Sequence, residues 1–443
     1  MNVQPIETSL QYLATALETR LKLHFGQKAG YAHLGEIPPP SFEGEQTAFT
    51  AFIDKYQMSF EEYVVLLMAL APHIQPQFFD SIISSVIPEG GDFPQIGGVR
   101  GQQFRGFLPT GETALFLLAG ENIQRRFEVL QIFSEDHFFS QNQILYLEPA
   151  KDNEPEYSGR LSLYPDYVSL FTLGTVPRPR FGIDFPAQHI STLMEWDDLV
   201  LNAQTLRQIR ELESWIQYGD VILNDWGMRK RIKPGYRALF YGPAGTGKTL
   251  TASLLGKYTG REVYKVDLSM VVSKFIGETE KNLATLFARA ENKGWILFFD
   301  EADSLFGKRT QVRDAHDKYA NQEVSYLLQR IEDYDGLVIL ASNFKGNIDE
   351  AFMRRFQSVI HFPIPRAEER LKLWTSAIPA AVTLEADIDL AQIAGKYELT
   401  GANVMNIIQY ASLRALTRNS TSFQLDELQE GIARELAKEG KIV

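Results

Sequence analysis

The 443-residue chain contains no cysteine. That absence excludes disulfides, a catalytic thiol and cysteine-ligated zinc, while saying little about compartment. Long apolar runs are missing too. The longest, Tyr63 to Ile74, includes Pro72 and His73 and is too short to span a bilayer. The opening residues Met1-Asn2-Val3-Gln4-Pro5 have neither a basic region nor an apolar one, so a cytoplasmic protein without a membrane partner is expected. No internal repeat or low-complexity tract is present, and an apolar fraction of 44% is ordinary for a globular chain. Basic residues are scarce at the start: residues 1–150 hold 8 Lys+Arg against 17 Asp+Glu, a net −9 of the chain's −12. A surface of that sign repels a phosphate backbone and argues against nucleic acid as a partner.

A chain of this length has room for two or three domains. In the first stretch Leu10, Leu13, Leu17 and Leu21 fall on one helical face. Ser59-Phe60-Glu61-Glu62 fits a capping box ahead of the apolar run, which Ala71-Pro72 is expected to break. Residues 77–83 read as another helix, and Pro109-Thr110-Gly111-Glu112 opens one that runs through Leu118 and stops at Gly120. Short strands are expected at 144–147 and 161–164. Helices followed by a β-hairpin suggest a winged-helix-like recognition domain over 1–173. A linker marked by Pro177, Pro179 and Pro186 is expected over 174–189. Over 190–365, strands at 238–241, 263–266, 295–299, 337–341 and 358–362 alternate with helices, which predicts an α/β fold with a parallel sheet covered on both faces. Residues 366–443 read as helices only.

Gly242-Pro243-Ala244-Gly245-Thr246-Gly247-Lys248-Thr249 fits the phosphate-binding pattern G-x-x-x-x-G-K-[ST]. It follows the apolar strand Ala238-Leu239-Phe240-Tyr241 and leads into a helix-forming run that continues with Leu250. Glycines let the backbone curl so that successive N–H groups face phosphate oxygens, and the helix N-terminus adds positive potential. Lys248 is placed to reach the β- and γ-phosphates, and the Thr249 hydroxyl to ligate Mg²⁺.

A second element, Trp295-Ile296-Leu297-Phe298-Phe299-Asp300-Glu301, is a strand that ends in two acids. Asp300 suits Mg²⁺ coordination, either directly or through a water on the ion, and Glu301 is placed to polarise a water for attack on phosphorus, since the loop itself supplies no base. A third strand ends at Asn343, whose carboxamide can hold that water or a γ-phosphate oxygen. Arg354 and Arg355 follow a short helical stretch. They can pair with acids on their own surface or reach a neighbour's γ-phosphate, and residue type alone does not choose. The order and spacing of the whole set favour the second.

Over roughly 190–443 these motifs resemble the AAA-type ATPases of the AAA+ superfamily. The segments that carry the likeness are the loop 242–249, the strand 296–303, the Asn343 position and the run Asp349-Glu350-Ala351-Phe352-Met353-Arg354-Arg355-Phe356. The resemblance implies a three-layer ATPase core, a helical lid that begins near Arg366, and a ring, usually a hexamer, with ATP at the interfaces between its chains. It implies that Glu301 and Asn343 are catalytic, that Arg354 and Arg355 act in trans, and that Gly401 and Ala402 of the lid approach the nucleotide. Where the family usually has an acidic residue, this chain has Asn403. The segment around Lys274, Phe275 and Ile276 is similar to a first pore loop that grips polypeptide, and residues 308–320 to a second.

Segments 66–73, 108–113 and 316–333 further resemble bacterial ATPases encoded with extracellular contractile injection systems. The expected function is a ring-shaped, ATP-driven remodeller or unfoldase of protein substrates, engaged through the pore loops and the N-terminal domain. An assembly or adaptor protein in which nucleotide gates the ring and hydrolysis is slow is the alternative.

Overall fold

The computed structural model describes residues 3–42, 44–91, 93–151, 153–182, 185–271, 278–302, 315–343, 353–438 and 440. The chain divides into two units, Met1–Arg178 and Pro179–Val443.

At the centre of the first unit is the helix Phe60–Ile74, buried at every position from Tyr63 to Pro72. A helix that is apolar all round can only be a core element. Helix Val3–His24 packs on it with Leu10, Leu13, Leu17 and Leu21 all buried. The expected capping box is present: Ser59 Oγ accepts from the Glu62 amide at 3.2 Å, and Glu62 Oε2 accepts from the Ser59 amide at 2.7 Å. The break expected at Ala71-Pro72 comes later, since the helix runs on to Ile74. A proline costs the bond to the carbonyl four residues back. In the last turn little helix remains to be disrupted, and the Gln75 amide still bonds the Ala71 carbonyl at 2.9 Å, so the helix ends two residues past Pro72 instead of stopping at it. Strands β1 (Leu145–Leu147) and β2 (Leu161–Leu163) form the antiparallel hairpin that the sequence predicts. Helix Pro165–Leu173 follows, and its Phe171 ring contacts Phe49 and Phe52 at centroid distances of 5.4 and 4.9 Å.

In the second unit, strands β3 (Ala187–Ile190), β4 (Tyr236–Tyr241), β5 (Val263–Val266), β6 (Ile296–Phe299), β7 (Leu337–Ser342) and β8 (Ser358–His361) form one sheet in the order β3-β5-β6-β7-β4-β8. All neighbours are parallel except β3 with β5. Central parallel strands are covered on both faces and therefore read as unbroken apolar runs; β6 and β7 are buried at every position. Alternate residues feed two cores. Leu239, Leu297, Val338 and Leu340 face helices Glu278–Ala290 and Ala315–Asp333, while Phe240, Phe298, Ile339 and Ala341 face helices Ala203–Asp220 and Lys248–Thr259. This is the three-layer α/β arrangement expected from the sequence.

Strand β3 lies where the sequence suggests only linker. Its polar Gln188 and His189 leave no apolar run to notice, because an edge strand is paired on one side alone. Phe185 anchors its start, fully buried against Tyr264 (5.4 Å) and Trp295 (5.9 Å).

The lid gathers helices Ala367–Ala377, Leu390–Lys396, Gly401–Thr417 and Leu425–Lys438 around Trp374, Ile407, Phe423 and Ile432. It is not purely helical: β9 (Thr383–Leu384) and β10 (Ser422–Phe423) pair in parallel, too short to leave a sequence signal. Among the described residues no helix is long and apolar enough to cross a membrane.

All five tryptophans of the chain lie in the second unit, so their fluorescence reports on that unit alone. Phe185→Ala is expected to destabilise it by about 3–5 kcal/mol. A denaturant midpoint by tryptophan fluorescence that stays at the wild-type value would show that β3 is dispensable.

Candidate functional site

β4 ends at Tyr241 and the chain turns through residues 242–247 into helix Lys248–Thr259. Two glycines are dictated by geometry. At Gly242 (φ 148°) a Cβ would lie 2.0 Å from the Phe362 carbonyl oxygen, and at Gly245 (φ 75°) it would lie 2.6 Å from the Ala402 Cβ. Within the loop, the Thr246 hydroxyl donates to the Pro243 carbonyl at 2.8 Å. The buried Lys248 ammonium donates to the carbonyls of Gly242 (2.6 Å) and Pro243 (3.0 Å) and to Asn343 Oδ1 (3.3 Å). Phosphate oxygens are stronger acceptors than these neutral carbonyls. Lys248 is therefore held beside the loop with donors it can redirect.

β6 delivers Asp300 and Glu301 at its carboxyl end, next to Asn343 at the end of β7. The turn is tied down, since the Ala302 amide donates to the Ala341 carbonyl at 2.9 Å. Glu301 takes φ 51°, a left-handed conformation that a non-glycine residue adopts at a cost of order 1 kcal/mol or more. Its amide donates to Asp300 Oδ1 at 3.0 Å. Thr249 is half-buried on the first turn of the loop helix. A hydroxyl and a carboxylate are the hard oxygen donors that suit Mg²⁺. Lys248, Asp300, Glu301 and Asn343 thus share one edge of the sheet.

Arg354 and Arg355 do not share it. They precede β8, whose Ser358 is level with Ala238, so they lie beside the amino end of β4 while the loop begins at its carboxyl end. At about 3.3 Å per strand residue the gap is roughly 15–20 Å, beyond the reach of an arginine side chain. Both are exposed, and Arg355 Nη1 pairs with Glu332 Oε1 of its own chain at 2.9 Å. Lys274, Phe275, Ile276 and residues 308–314 lie outside the described residues, as do the side chains of residues 315–320.

The lid reaches the loop through its helix Gly401–Thr417: the Ala402 amide donates to the Gly245 carbonyl at 3.3 Å. Between them is a cavity of about 330 Å³, lined by Leu199, Val200, Gly245, Thr246, Gly247, Leu250, Leu373, Gly401, Ala402 and Met405. A mostly apolar cleft of that size beside a phosphate loop fits a nucleobase. Sequence reasoning finds Gly245, Thr246, Gly247, Leu250, Gly401 and Ala402. It misses Leu199, Val200, Leu373 and Met405, which come from separated segments without a shared motif; only the proximity of Leu373 and Met405 to recognised lid positions offers a signal.

Asn403 occupies the capping-box position of that lid helix. Its Oδ1 accepts from the Thr400 amide at 2.9 Å and hydroxyl at 2.6 Å, and its Nδ2 donates to Glu435 Oε2 at 3.1 Å. An acid at 403 could accept from Thr400 but could not donate to Glu435. Burial opposes the ionised Glu435, yet hydrogen bonds from Lys438, Asn403 and Asn406 prevail and hold its pKa below the usual carboxylate range. Asn403→Asp would set two carboxylates against each other, which raises the pKa of the pair. The loss, about 1–3 kcal/mol by analogy with a lost charge-assisted bond, should be full above that raised pKa. It should fade as pH falls and one acid is protonated. Equal stabilities of variant and wild type at neutral pH would show that the Asn403–Glu435 contact is immaterial.

Residues 238–364 match the family described as "ATPase family associated with various cellular activities (AAA)". Among known proteins, the chain is 31% identical over 254 residues to the A-like 1 form of the katanin p60 ATPase-containing subunit, from Rattus norvegicus and from Homo sapiens, covering 53% of this chain and 49% of theirs. The Danio rerio protein of that name is 30% identical over 256 residues, with the same coverage. The chain spans about half the length of the curated relatives it matches. Within the second unit, residues 238–364 are thus similar to the ATPase domain of the AAA family.

Proposed function

We propose that the chain is an ATP-hydrolysing remodeller of protein substrates that works as a ring, with six copies as the leading stoichiometry. The observation that carries this reading is the separation of the site into two halves on one chain. Lys248, Asp300, Glu301 and Asn343 stand at the carboxyl edge of the sheet, while Arg354 and Arg355 stand near its amino edge. An arginine that stabilises phosphoryl transfer must then come from a neighbour, which ties hydrolysis to assembly.

In this reading the amides of Gly245, Thr246 and Gly247 and the N-terminus of the loop helix cradle the phosphates. Lys248 turns from the loop carbonyls to the β- and γ-oxygens. Thr249 and Asp300 would hold Mg²⁺, which would supply neutralisation of phosphate charge there. Glu301 accepts a proton from the attacking water, and Asn343 fixes that water by hydrogen bonding. The apolar cleft under Leu373 and Met405 takes the base. Lys274, Phe275 and Ile276 grip substrate polypeptide in the ring's channel. The acid-rich first unit recognises the substrate, a role that its exposed Ile123 and Phe127, one helical turn apart, support.

The resemblance of segments 66–73, 108–113 and 316–333 supports service to a contractile injection system, in its assembly, loading or disassembly. Capture with Glu301→Gln from cells that make such particles should enrich tail or sheath components over capture with Lys248→Ala. Equal recovery by the two variants removes that role.

The ATPase rate per chain is expected to climb with protein concentration and then plateau. A flat, appreciable rate down to concentrations at which the chain is demonstrably monomeric sinks the interface reading. Glu301→Gln should lower turnover by about 10²–10⁴-fold and leave nucleotide binding intact. Arg354→Ala/Arg355→Ala, inactive alone, should regain activity when mixed with an excess of Glu301→Gln, since the arginine variant then supplies the water-activating half and the other chain the arginines.

A further inference from the structure

One cation at the carboxyl edge has no part in the scheme above. Lys265 of β5 is level with Phe298 of β6, and Asp300 lies two residues on, on the same side of the strand. The Lys265 ammonium pairs with Asp300 Oδ2 at 2.7 Å, with side chains 40% and 27% exposed. The other Asp300 oxygen accepts the Glu301 amide. Both oxygens of the carboxylate assigned to Mg²⁺ are therefore engaged. The acids nearest Lys265 along its strand are committed elsewhere. Glu262 accepts from the Tyr264 hydroxyl at 2.8 Å, and Asp267 Oδ1 accepts from the amide and hydroxyl of Ser269 at 2.9 and 2.6 Å.

We infer that Lys265 is a positioning residue for Asp300, holding its carboxylate as a substitute cation that Mg²⁺ must displace. The inference rests on the ATPase reading above. An ammonium and a divalent ion that shared one carboxylate would repel, so each would weaken the other's binding. Lys265 can yield because it is half-exposed: on release its ammonium is taken up by water, and a pair of this kind binds weakly. While paired, it keeps Asp300 from turning toward Lys248 and leaves the Glu301 amide its acceptor. Lys265 thereby sets how much Mg²⁺ is needed before the nucleotide is held in a hydrolysable form.

The test is a Mg²⁺ titration of the full chain with a fluorescent ATP analogue, comparing wild type with Lys265→Met and Lys265→Arg. In EDTA all three should bind the analogue equally, which also checks folding, and tryptophan fluorescence checks it independently. The Mg²⁺ half-point should fall about two- to five-fold in Lys265→Met and stay at the wild-type value in Lys265→Arg. An unchanged or higher half-point in Lys265→Met overturns the displacement role while leaving the ATPase reading intact. Failure of wild type to bind the analogue at any Mg²⁺ concentration overturns both. Should Lys265→Met not fold, Lys265→Gln carries the same comparison.

Discussion

Parallel pairing of β7 between β4 and β6 is the constraint from which the site follows. The register sets Tyr241 beside Ser342 and Phe299 beside Leu340, so β4 and β7 end level and β6 stops two residues short of them. Hydrogen bonding continues past those ends: the Gly242 amide donates to the Ser342 carbonyl at 3.2 Å, and the Ala302 amide to that of Ala341. The phosphate loop and the acid-bearing turn therefore both hang from β7. A one-residue slip in either pairing would exchange the two cores and dismantle the edge at once.

The lid adds a second constraint, weaker and more adjustable. Its one described hydrogen bond to the loop runs from the Ala402 amide to the Gly245 carbonyl, and its helix starts where Asn403 binds Thr400 and Glu435. Asn403 does the capping work of an acid while also donating to a real one. Asn403 is thus matched by a partner within the lid.

Much of this was legible in the sequence because the central strands are buried on both faces and must be apolar throughout. The phosphate loop was legible for a different reason: Gly242 and Gly245 stand where any side chain would collide with Phe362 or Ala402. β3 was not, since an edge strand tolerates Gln188 and His189. Leu199, Leu373 and Met405 meet only through tertiary packing and carry no local pattern. For Arg355, residue type left two readings open, acids on its own surface or a neighbour's phosphate; the structure shows the pair with Glu332 of its own chain, and the position of β8 relative to β4 rules out its own chain's loop as a further target. Lys265 was passed over because a lone lysine in a short strand looks like a solvated side chain; the register that sets it beside Asp300 is not written in either segment alone.

The split between the two edges of the sheet has a further consequence. If the arginines serve a neighbour, each chain has a donating face and a receiving face, and association is head-to-tail. Such contacts either close on themselves or leave an open end. In an open string the last chain always has a nucleotide site that no arginine reaches, and the first has arginines with nothing to act on. Closure then does more than add a contact: it removes the one idle site and carries the head-to-tail direction around the whole circumference before any substrate arrives.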